Sequence, residues 1–468
     1  MIVATVLGSG VAFLDSTVVN VALPAIAKDL EMTVAGLQWT LDAYLVTLTS
    51  LLLLGGSLGD IFGRRRVFVL GLAGFALASI ACGLAPNAAA LIAARAAQGV
   101  AAAFLVPGSL AIISSVFHPD DRGRAIGAWS GLAGVASALG PFVGGWLIDA
   151  VSWRLIFLIN IPLVAVTLWM ATTHVPETKD DDARDPDWTG AGAVSVGLGT
   201  LTYALIEGPA RGGPIPIVTG VVGVVALVAF IAIERSAAAP MLPLTIFRSP
   251  QFTGANLTTV AVYAALGGAF FLLVLQLQLT LGYSALEAGV AMMPITILML
   301  LLSARAGSRA QRIGPRVPMT VGPIVAGAGL ALFASIEPGT RYASGVLPAI
   351  VVFGLGLTLT VAPLTAAVLA AVDEHHVGAG SGVNNAVARL GGLIAVAVLP
   401  ALAGIDGSSP ESVAQGFASA MRICAIACAA GGAMAWFTVR TAAKVPALPQ
   451  PSAIHPCHDP CVAEERAA

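Results

Sequence analysis

The chain has 468 residues, of which 57% are hydrophobic and 10% are charged. Soluble domains usually have about a quarter of their residues charged, so this composition, with a mean hydropathy of +0.90, excludes an ordinary soluble protein. The 23 basic and 25 acidic residues nearly cancel, so their distribution along the chain is more informative than their sum. No nucleic-acid partner is expected, and the five scattered cysteines indicate no disulfide framework.

Apolar segments recur along the whole chain. A helix needs about 20 apolar residues to cross ~30 Å of hydrocarbon, and about fourteen segments satisfy this requirement. The composition and these segments predict an all-α integral membrane protein embedded in the lipid bilayer. The predicted segments are residues 2–24, 39–58, 67–85, 89–112, 125–149, 155–171, 189–207, 215–233, 252–279, 287–304, 318–336, 345–372, 379–403 and 417–439.

Basic side chains concentrate in the loops after the even-numbered segments and in the tail, for example in residues 64–66, 122–124 and 305–316. Loops rich in Lys and Arg stay on the cytoplasmic side of a membrane. We therefore predict a multi-pass protein of the cell membrane with both termini in the cytoplasm. The first segment follows no basic region, so it is interpreted as a retained spanning helix and not as a cleaved signal peptide.

Two distant parts of the chain resemble each other. GSLGDIFGRRRV (residues 56–67) aligns with GSRAQRIGPRVP (residues 307–318), and both loops have the same predicted side of the membrane, which indicates parallel repeats. The predicted organisation is two six-helix repeat bundles plus two extra helices between them. Its parts are a bundle in residues 1–171, a cytoplasmic loop with two additional helices in 172–251, a second bundle in 252–439, and a disordered cytoplasmic tail in 440–468.

Four motifs resemble those of the major facilitator superfamily, specifically its fourteen-span drug:proton antiporter branch. They are LDSTVVNVALPAI (residues 14–26), GGSLGDIFGRRR (55–66), LIAARAAQGVAAA (91–103) and ALGPFVGG (138–145), and WRLIFLINIP (153–162) adds a further similarity. The second half departs from the pattern where Gln311 replaces the loop aspartate, and Ala136 takes the place of a usual glycine. The resemblance implies proton-driven export of small amphipathic compounds by alternating access, without a cofactor. A monomer is compatible with it, and the oligomeric state stays open.

Ionisable residues inside spanning segments are rare and are functional candidates by default. Asp15 is the first candidate for proton coupling, because burial favours its neutral form while a cation or a basic substrate favours the charged form. The resemblance assigns this role to the acid of its motif and makes Arg95 the membrane arginine of another helix. Arg95 has the alternative role of binding backbone carbonyls. Asp42 is a second candidate, with an interfacial position near Trp39 as the alternative.

The loop motif supplies a predicted gate formed by Gly56, Asp60, Gly63, Arg64 and Arg65. We interpret the aspartate as part of a latch that closes the cytoplasmic side in one conformation. The alternative is that the arginines only fix the loop on the cytoplasmic side. An aspartate does not contribute to this positive-inside effect, so the alternative leaves Asp60 without a role.

The motif of the fifth segment contains Gly140, Pro141, Gly144 and Gly145. Its small residues allow close packing, and the proline bends the helix, so we predict that this antiporter helix rocks against a neighbour. Ordinary close packing explains the glycines equally well.

Polar residues elsewhere are candidates for the substrate cavity, with simple hydrogen bonding between helices as the alternative for each. These candidates are Asn20, Gln276, Asn384, Asn385 and Arg389. The ninth segment, which corresponds to the first by the repeat, has no acid, so proton handling is expected mainly in the amino-terminal half.

Two patterns suggest metal chemistry, and each has a simpler explanation. DDARD (residues 181–185) fits the aspartate-rich motif of magnesium-dependent membrane prenyltransferases, but the second such motif is missing, which favours a solvated acidic linker. HPCHDPC (residues 455–461) has irregular ligand spacing in a tail expected to be disordered. We predict no metal and no enzyme. Since no GxxxxGK[ST] loop is present, ATP is not expected to drive transport, and a uniporter or nutrient importer is the alternative.

Overall fold

A computed structural model describes residues 2–117, 119–180, 185–237, 240–372, 377–405 and 409–439, and these residues are helical with no strand among them. The helices are α1 (Ile2–Asp29), α2 (Val34–Phe62), α3 (Arg64–Gly83), α4 (Ala88–Val116), α5 (Pro119–Ala150), α6 (Leu155–Leu158), α7 (Asn160–His174), α8 (Trp188–Arg211), α9 (Pro214–Ser236), α10 (Pro250–Leu275), α11 (Ala285–Ile313), α12 (Arg316–Phe333), α13 (Leu347–Leu369), α14 (Val377–Leu402) and α15 (Pro410–Thr438). Short 3₁₀ or π turns precede or extend α10 and α13.

The prediction of an all-α membrane protein is confirmed. Thirteen helices of the described part of the chain are long and apolar enough to cross a membrane, with α6 and α7 forming one of them together. α5 does not enter this number because it contains residues whose side chains the structure does not describe, so the predicted number of fourteen is not confirmed. Residues 181–184 of the DDARD stretch and the tail 440–468 also lie outside the described residues.

Caps explain why some helices are longer than their apolar segments. The side chain of Thr33 accepts a hydrogen bond from the backbone N–H of Gly36 and starts α2 five residues before the predicted segment. Gly63 ends α2 with a φ of +104°, and Gly314 ends α11 with a φ of +87°. Both values favour glycine, because a side chain is strained in this region. The two glycines occupy equivalent places in the repeated loop motif.

The packing of the helices repeats as the sequence predicts. α1 packs on α5 as α10 packs on α14, α2 packs on α4 as α11 packs on α13, and α3 packs on α4 as α12 packs on α13. The residue boundaries predicted for the domains stay a prediction.

The two halves meet along two boundaries that are equivalent by the repeat. α5 packs on α11, and α2 packs on α14. α8 and α9 form a hairpin, and α8 covers the second boundary by packing on both α2 and α14. Val46, Leu198 and Leu393 form an apolar cluster where these three helices meet. The Nε1–H of Trp39 on α2 also donates to Glu207 of α8 at 3.0 Å. The extra helices therefore make the two boundaries different.

Candidate functional site

A buried ion pair lies in the interior of the first half. Asp15 of α1 is fully buried and Arg95 of α4 is 1% exposed. An Nη1–H of Arg95 donates to Asp15 Oδ2 at 2.5 Å. The structure thus brings together the two residues that the resemblance selects.

Amide side chains complete the surroundings of the Asp15 carboxylate. Its Oδ1 accepts hydrogen bonds from the side-chain amides of Gln98 at 2.9 Å and Asn160 at 3.1 Å. Both amides also donate to the hydroxyl of Ser79. The carboxylate of Asp15 is therefore bound on both oxygens, by a guanidinium group and by two amides.

Sequence reasoning missed three members of this network. Gln98 follows Arg95 by three residues, and this spacing places both on one face of α4, so helical periodicity could have identified it. Asn160 is part of the quoted WRLIFLINIP motif, but nothing in its local pattern indicates a partner on α1. Ser79 carries no signal in the sequence.

Arg95 also binds the neighbouring helix. Its Nε–H donates to the backbone oxygen of Thr40 at 3.1 Å, so the guanidinium binds a backbone carbonyl as well as Asp15. Its guanidinium lies over the ring of Tyr44, 4.3 Å from the ring centroid. Arg95 therefore links α1, α2 and α4, and its positive charge is shared among an anion, a carbonyl and an aromatic face.

Asp42 has a different environment from Asp15. It is fully buried, and neither of its carboxylate oxygens has a hydrogen-bond partner among the residues that the structure describes. Asp42 lies four residues after Gln38 and four before Val46, so the three residues share one face of α2. Gln38 donates to backbone oxygens of α14, and Val46 packs on α8 and α14. An acid without partners therefore lies on the face of α2 that meets the second half.

The residues of the predicted gate form contacts within the first half. Asp60 accepts hydrogen bonds from Arg64 at 2.8 Å. The backbone N–H of Arg65 donates to Glu177 at 3.0 Å, and its guanidinium donates to the backbone oxygen of Val175. Glu177, in the segment after α7, is a partner that the sequence did not reveal.

Gly63 and Gly56 of the same motif differ in how strongly they require glycine. A Cβ at Gly63 would lie 2.6 Å from the Glu177 carboxylate, whereas one at Gly56 would meet Pro107 at 3.7 Å, an ordinary contact distance. The positive φ of Gly63 is what requires glycine at that position, and a side chain there would also displace Glu177.

The glycines of α5 contact two different helices. A Cβ at Gly144 would lie 2.8 Å from Val18 of α1, and one at Gly140 would collide with Thr17 of α1. In contrast, a Cβ at Gly145 would lie 2.6 Å from the backbone of Ala285 and Leu286 in the other half. A Cβ at Gly289 of α11 would likewise collide with the backbone oxygen of Pro141. The motif therefore allows α5 to pack closely on α1 within the first half and on α11 across the boundary to the second half.

Two of the candidates for the substrate cavity bind only within their own half. Gln276 is fully buried and donates to the backbone oxygen of Ile336 within the second half, while Asn20 donates to Ser16 of its own helix. The structure does not bring these two together with the other candidates.

Asn384 donates to Asn256 and Thr259 of α10 at 3.1 and 2.8 Å, which ties α14 to α10 within the second half. Asn385 accepts a hydrogen bond from the Nε–H of Arg389 at 2.9 Å, and both residues keep partial exposure.

Hydrogen bonds between the two halves cluster at one side of the molecule. We call the side that contains Gly63 and Gly314 the loop face. Near the opposite face, Asp149 at the end of α5 accepts hydrogen bonds from the backbone N–H groups of Ala285 and Leu286 at 3.2 and 2.9 Å. These residues begin α11, so the carboxylate caps a helix of the other half.

Two amides join the halves near the same face. Gln278 donates to the backbone oxygen of Val21 at 2.8 Å, and Gln38 donates to those of Val396 and Ala397 at 2.6 and 3.0 Å. The halves are thus closed together near the opposite face. A pocket of about 580 Å³ opens there beside Asp149, and none of the predicted site residues lines it.

These features define a class of protein: a helical membrane transporter built from two repeated bundles with polar groups buried at the boundary between them. Residues 5–396 match the Major Facilitator Superfamily, and the chain belongs to that family. It is a transporter and not an enzyme.

Several relatives are resistance proteins. The chain is 35% identical to the multidrug resistance protein Stp of Mycobacterium tuberculosis over 85% of this chain and 74% of the relative. It is 35% identical to the puromycin resistance protein pur8 of Streptomyces alboniger over 82% and 78% of the two chains. It is 32% identical to the tetracenomycin C resistance and export protein of Streptomyces glaucescens over 86% and 75%.

Solved structures share the fold at low identity. A D-xylose–proton symporter superimposes with a TM-score of 0.67 at 13% identity, covering 94% of this chain and 97% of that one. A bacterial homolog of the human lysosomal transporter Spinster, in an inward-facing conformation, gives 0.66 at 17% identity, covering 94% and 96%.

Proposed function

We propose that this protein exports small amphipathic compounds from the cell in exchange for protons, by alternating access. The resistance proteins among its relatives support export of drug-like compounds. The observation that carries the proton exchange is Asp42, whose carboxyl group is fully buried without a partner on the face of α2 that meets the second half.

The geometry favours Asp42 over Asp15 as the group that gains and loses the proton. Asp15 would have to give up bonds to Arg95, Gln98 or Asn160 to take a proton. Asp42 has no such bonds among the described residues, so it can gain or lose a proton without breaking a side-chain contact. The sequence placed Asp15 first; in our proposal Asp15 and Arg95 hold α1, α2 and α4 together, and Asp42 carries the proton.

Movement of the two halves would change the surroundings of Asp42. Gln38, one turn away, binds α14 across the boundary, and these bonds must break when the halves separate on this side. Water from that side would then reach a carboxyl group that is dry in the closed state, so Asp42 can exchange a proton with the outside only after the halves have rocked. Coupling between proton binding and conformation follows from this change in access.

The conformation of the structure fits one end of such a cycle. The halves are joined by hydrogen bonds near the opposite face, whereas the Asp60 side chain on the loop face is bound by Arg64 of the same loop motif. With the loop face in the cytoplasm, as the basic loops predict, we assign this state to the inward-facing end of the cycle. Substrate enters from the cytoplasm as Asp42 releases its proton; after the halves rock, substrate leaves and Asp42 is protonated from outside.

The driving force is sufficient for useful export. One charge moving down ~100 mV provides ~2.3 kcal/mol, and a tenfold concentration ratio of a neutral compound costs ~1.4 kcal/mol. A single proton per cycle would therefore sustain a gradient of more than tenfold.

Transport by purified protein in sealed vesicles tests this function. Vesicles in which the loop face points outward should accumulate a fluorescent amphipathic compound when their lumen is made acidic, and a protonophore should abolish accumulation. Equilibration of the compound without accumulation, unaffected by the protonophore, would indicate a uniporter and contradict the proposal. Accumulation only in vesicles of the reverse orientation would indicate an importer.

A further inference from the structure

Arg389 is a cation inside the membrane without an acidic partner. Its Nε–H donates to Asn385 on the same helix, and it forms no ion pair among the described residues. Arg95, the other arginine in the interior, is 1% exposed and is bound to Asp15. An uncompensated charge in a bilayer is costly, so groups of this kind usually have a partner or serve a function.

Arg389 lies on the face of α14 that meets the first half. It is four residues before Leu393, which packs on Val46 of α2, and seven before Val396, which accepts a bond from Gln38. Residues at this spacing share one side of a helix. The side chain keeps partial exposure, unlike that of Arg95. A guanidinium group is therefore presented at the boundary where substrates are expected to pass.

Two tyrosine side chains, one from each half, interact with the guanidinium group of Arg389. Arg389 interacts electrostatically with Tyr44 of the first half and Tyr263 of the second. The hydroxyl of Tyr44 is buried and has no hydrogen-bond partner. Apolar side chains of Leu45, Leu390 and Leu393 lie nearby. The region combines an unpaired cation, an unused hydroxyl donor and apolar surface.

We infer that Arg389 is a subsite for the acidic oxygen of the transported compound, so that the substrates include amphipathic organic acids with a carboxylate or phenolate on an apolar body. Asn385 holds the Nε–H, which leaves the two Nη groups as a fork for oxygen atoms. This inference rests on the proposed function, because it names the class of compound that the same cavity takes.

The substrate subsite is separate from the proton carrier. Arg389 and Asp42 lie on different helices and form no ion pair among the described residues. Proton and organic acid would therefore be coupled through the position of the two halves and not through competition for one atom. While Asp42 is neutral and Asp15 is paired, the charge of Arg389 gives this region an excess of one positive charge, which favours anions.

Three compounds with one apolar body test the subsite: 1-pyrenebutyrate as the anion, 1-pyrenebutanamide as the neutral form and 1-pyrenebutylamine as the cation. Their dissociation constants are measured by fluorescence on the full-length protein in lipid nanodiscs. We expect Arg389→Gln to raise the ratio of the acid constant to the amide constant at least tenfold, since a charged hydrogen bond is lost. Arg422→Gln, the same change at an exposed arginine of α15, should leave this ratio unchanged.

A second pair of variants keeps the test decisive if Arg389→Gln does not fold. Arg389→Lys keeps the charge but loses the fork, and Asn385→Ala releases the Nε–H, so each should raise the ratio by about two- to fivefold. An unchanged ratio in all three variants, or equal weakening of acid, amide and amine, would overturn the inference. The proposed function would survive that result if the unmodified protein still exports the amide under a proton gradient, and would fail only if it exports none of the three compounds.

Discussion

Asp15 and Asp42 are both fully buried acids on neighbouring helices, yet their surroundings are opposite. Asp15 receives bonds from an arginine and two amides, whereas Asp42 receives none. Burial alone therefore does not distinguish these two acids. In our proposal, the number of donors around the carboxylate separates Asp15, which maintains the fold, from Asp42, which changes its charge.

The largest effect is expected when the paired acid loses its cation. Arg95→Ala leaves Asp15 as a buried charge without compensation, which should destabilise the protein by about 3–5 kcal/mol. Thermal unfolding in detergent, followed by size-exclusion chromatography, measures this loss. Adding Asp15→Asn to Arg95→Ala should recover part of the stability, because the stranded charge is removed. A stable Arg95→Ala protein would show that the pair does not hold these helices together.

A smaller effect sharpens the comparison between the two acids. Asp15→Asn removes the anion but leaves Arg95 bound to Thr40 and stacked on Tyr44, so we expect a loss smaller than that of Arg95→Ala. Asp42→Asn removes no bond, so its unfolding temperature should equal or exceed that of the unmodified protein. Equal destabilisation by the two substitutions would break the distinction on which our proposal depends.

The smallest effect concerns a third carboxylate, Asp149, whose partners are backbone groups of the other half. Asp149→Ala removes a cap from α11 and should shift the balance between inward-open and outward-open states by about 0.5–2 kcal/mol. Spin labels at the opposite face should report a larger outward-open population. Gln38→Ala is the matched change at the other boundary and should act in the same direction. No shift in either variant would show that these bonds do not hold the closed face.

Much of the fold follows from local patterns. Apolar segment lengths predicted the helices, and the repeated loop motif predicted equivalent packing in the two halves, with Gly63 and Gly314 in matching conformations. The motifs also selected Asp15 and Arg95 on different helices, although they did not predict that the two side chains form an ion pair. Local patterns were sufficient there because helix geometry and hydrocarbon thickness constrain the chain strongly.

The partners of these residues were harder to predict. Asn160 and Glu177 lie more than a hundred residues from Asp15 and Arg65, and no periodicity connects them. It could not be predicted either that Asp42 lacks a hydrogen-bond partner among the described residues. The partners of a buried side chain depend on every helix that surrounds it. The cap formed by Asp149 on α11 depends on how the two halves meet, which a single sequence does not describe.

The central claim is that Asp42 carries the proton. It is tested most directly by the effect of Asp42→Asn on transport driven by an imposed pH gradient, in vesicles that contain equal amounts of folded protein. We predict that this variant still binds the substrate and exchanges it across the membrane without a gradient, but no longer accumulates it in an acidic lumen. Accumulation that responds to the gradient as in the unmodified protein would contradict the account.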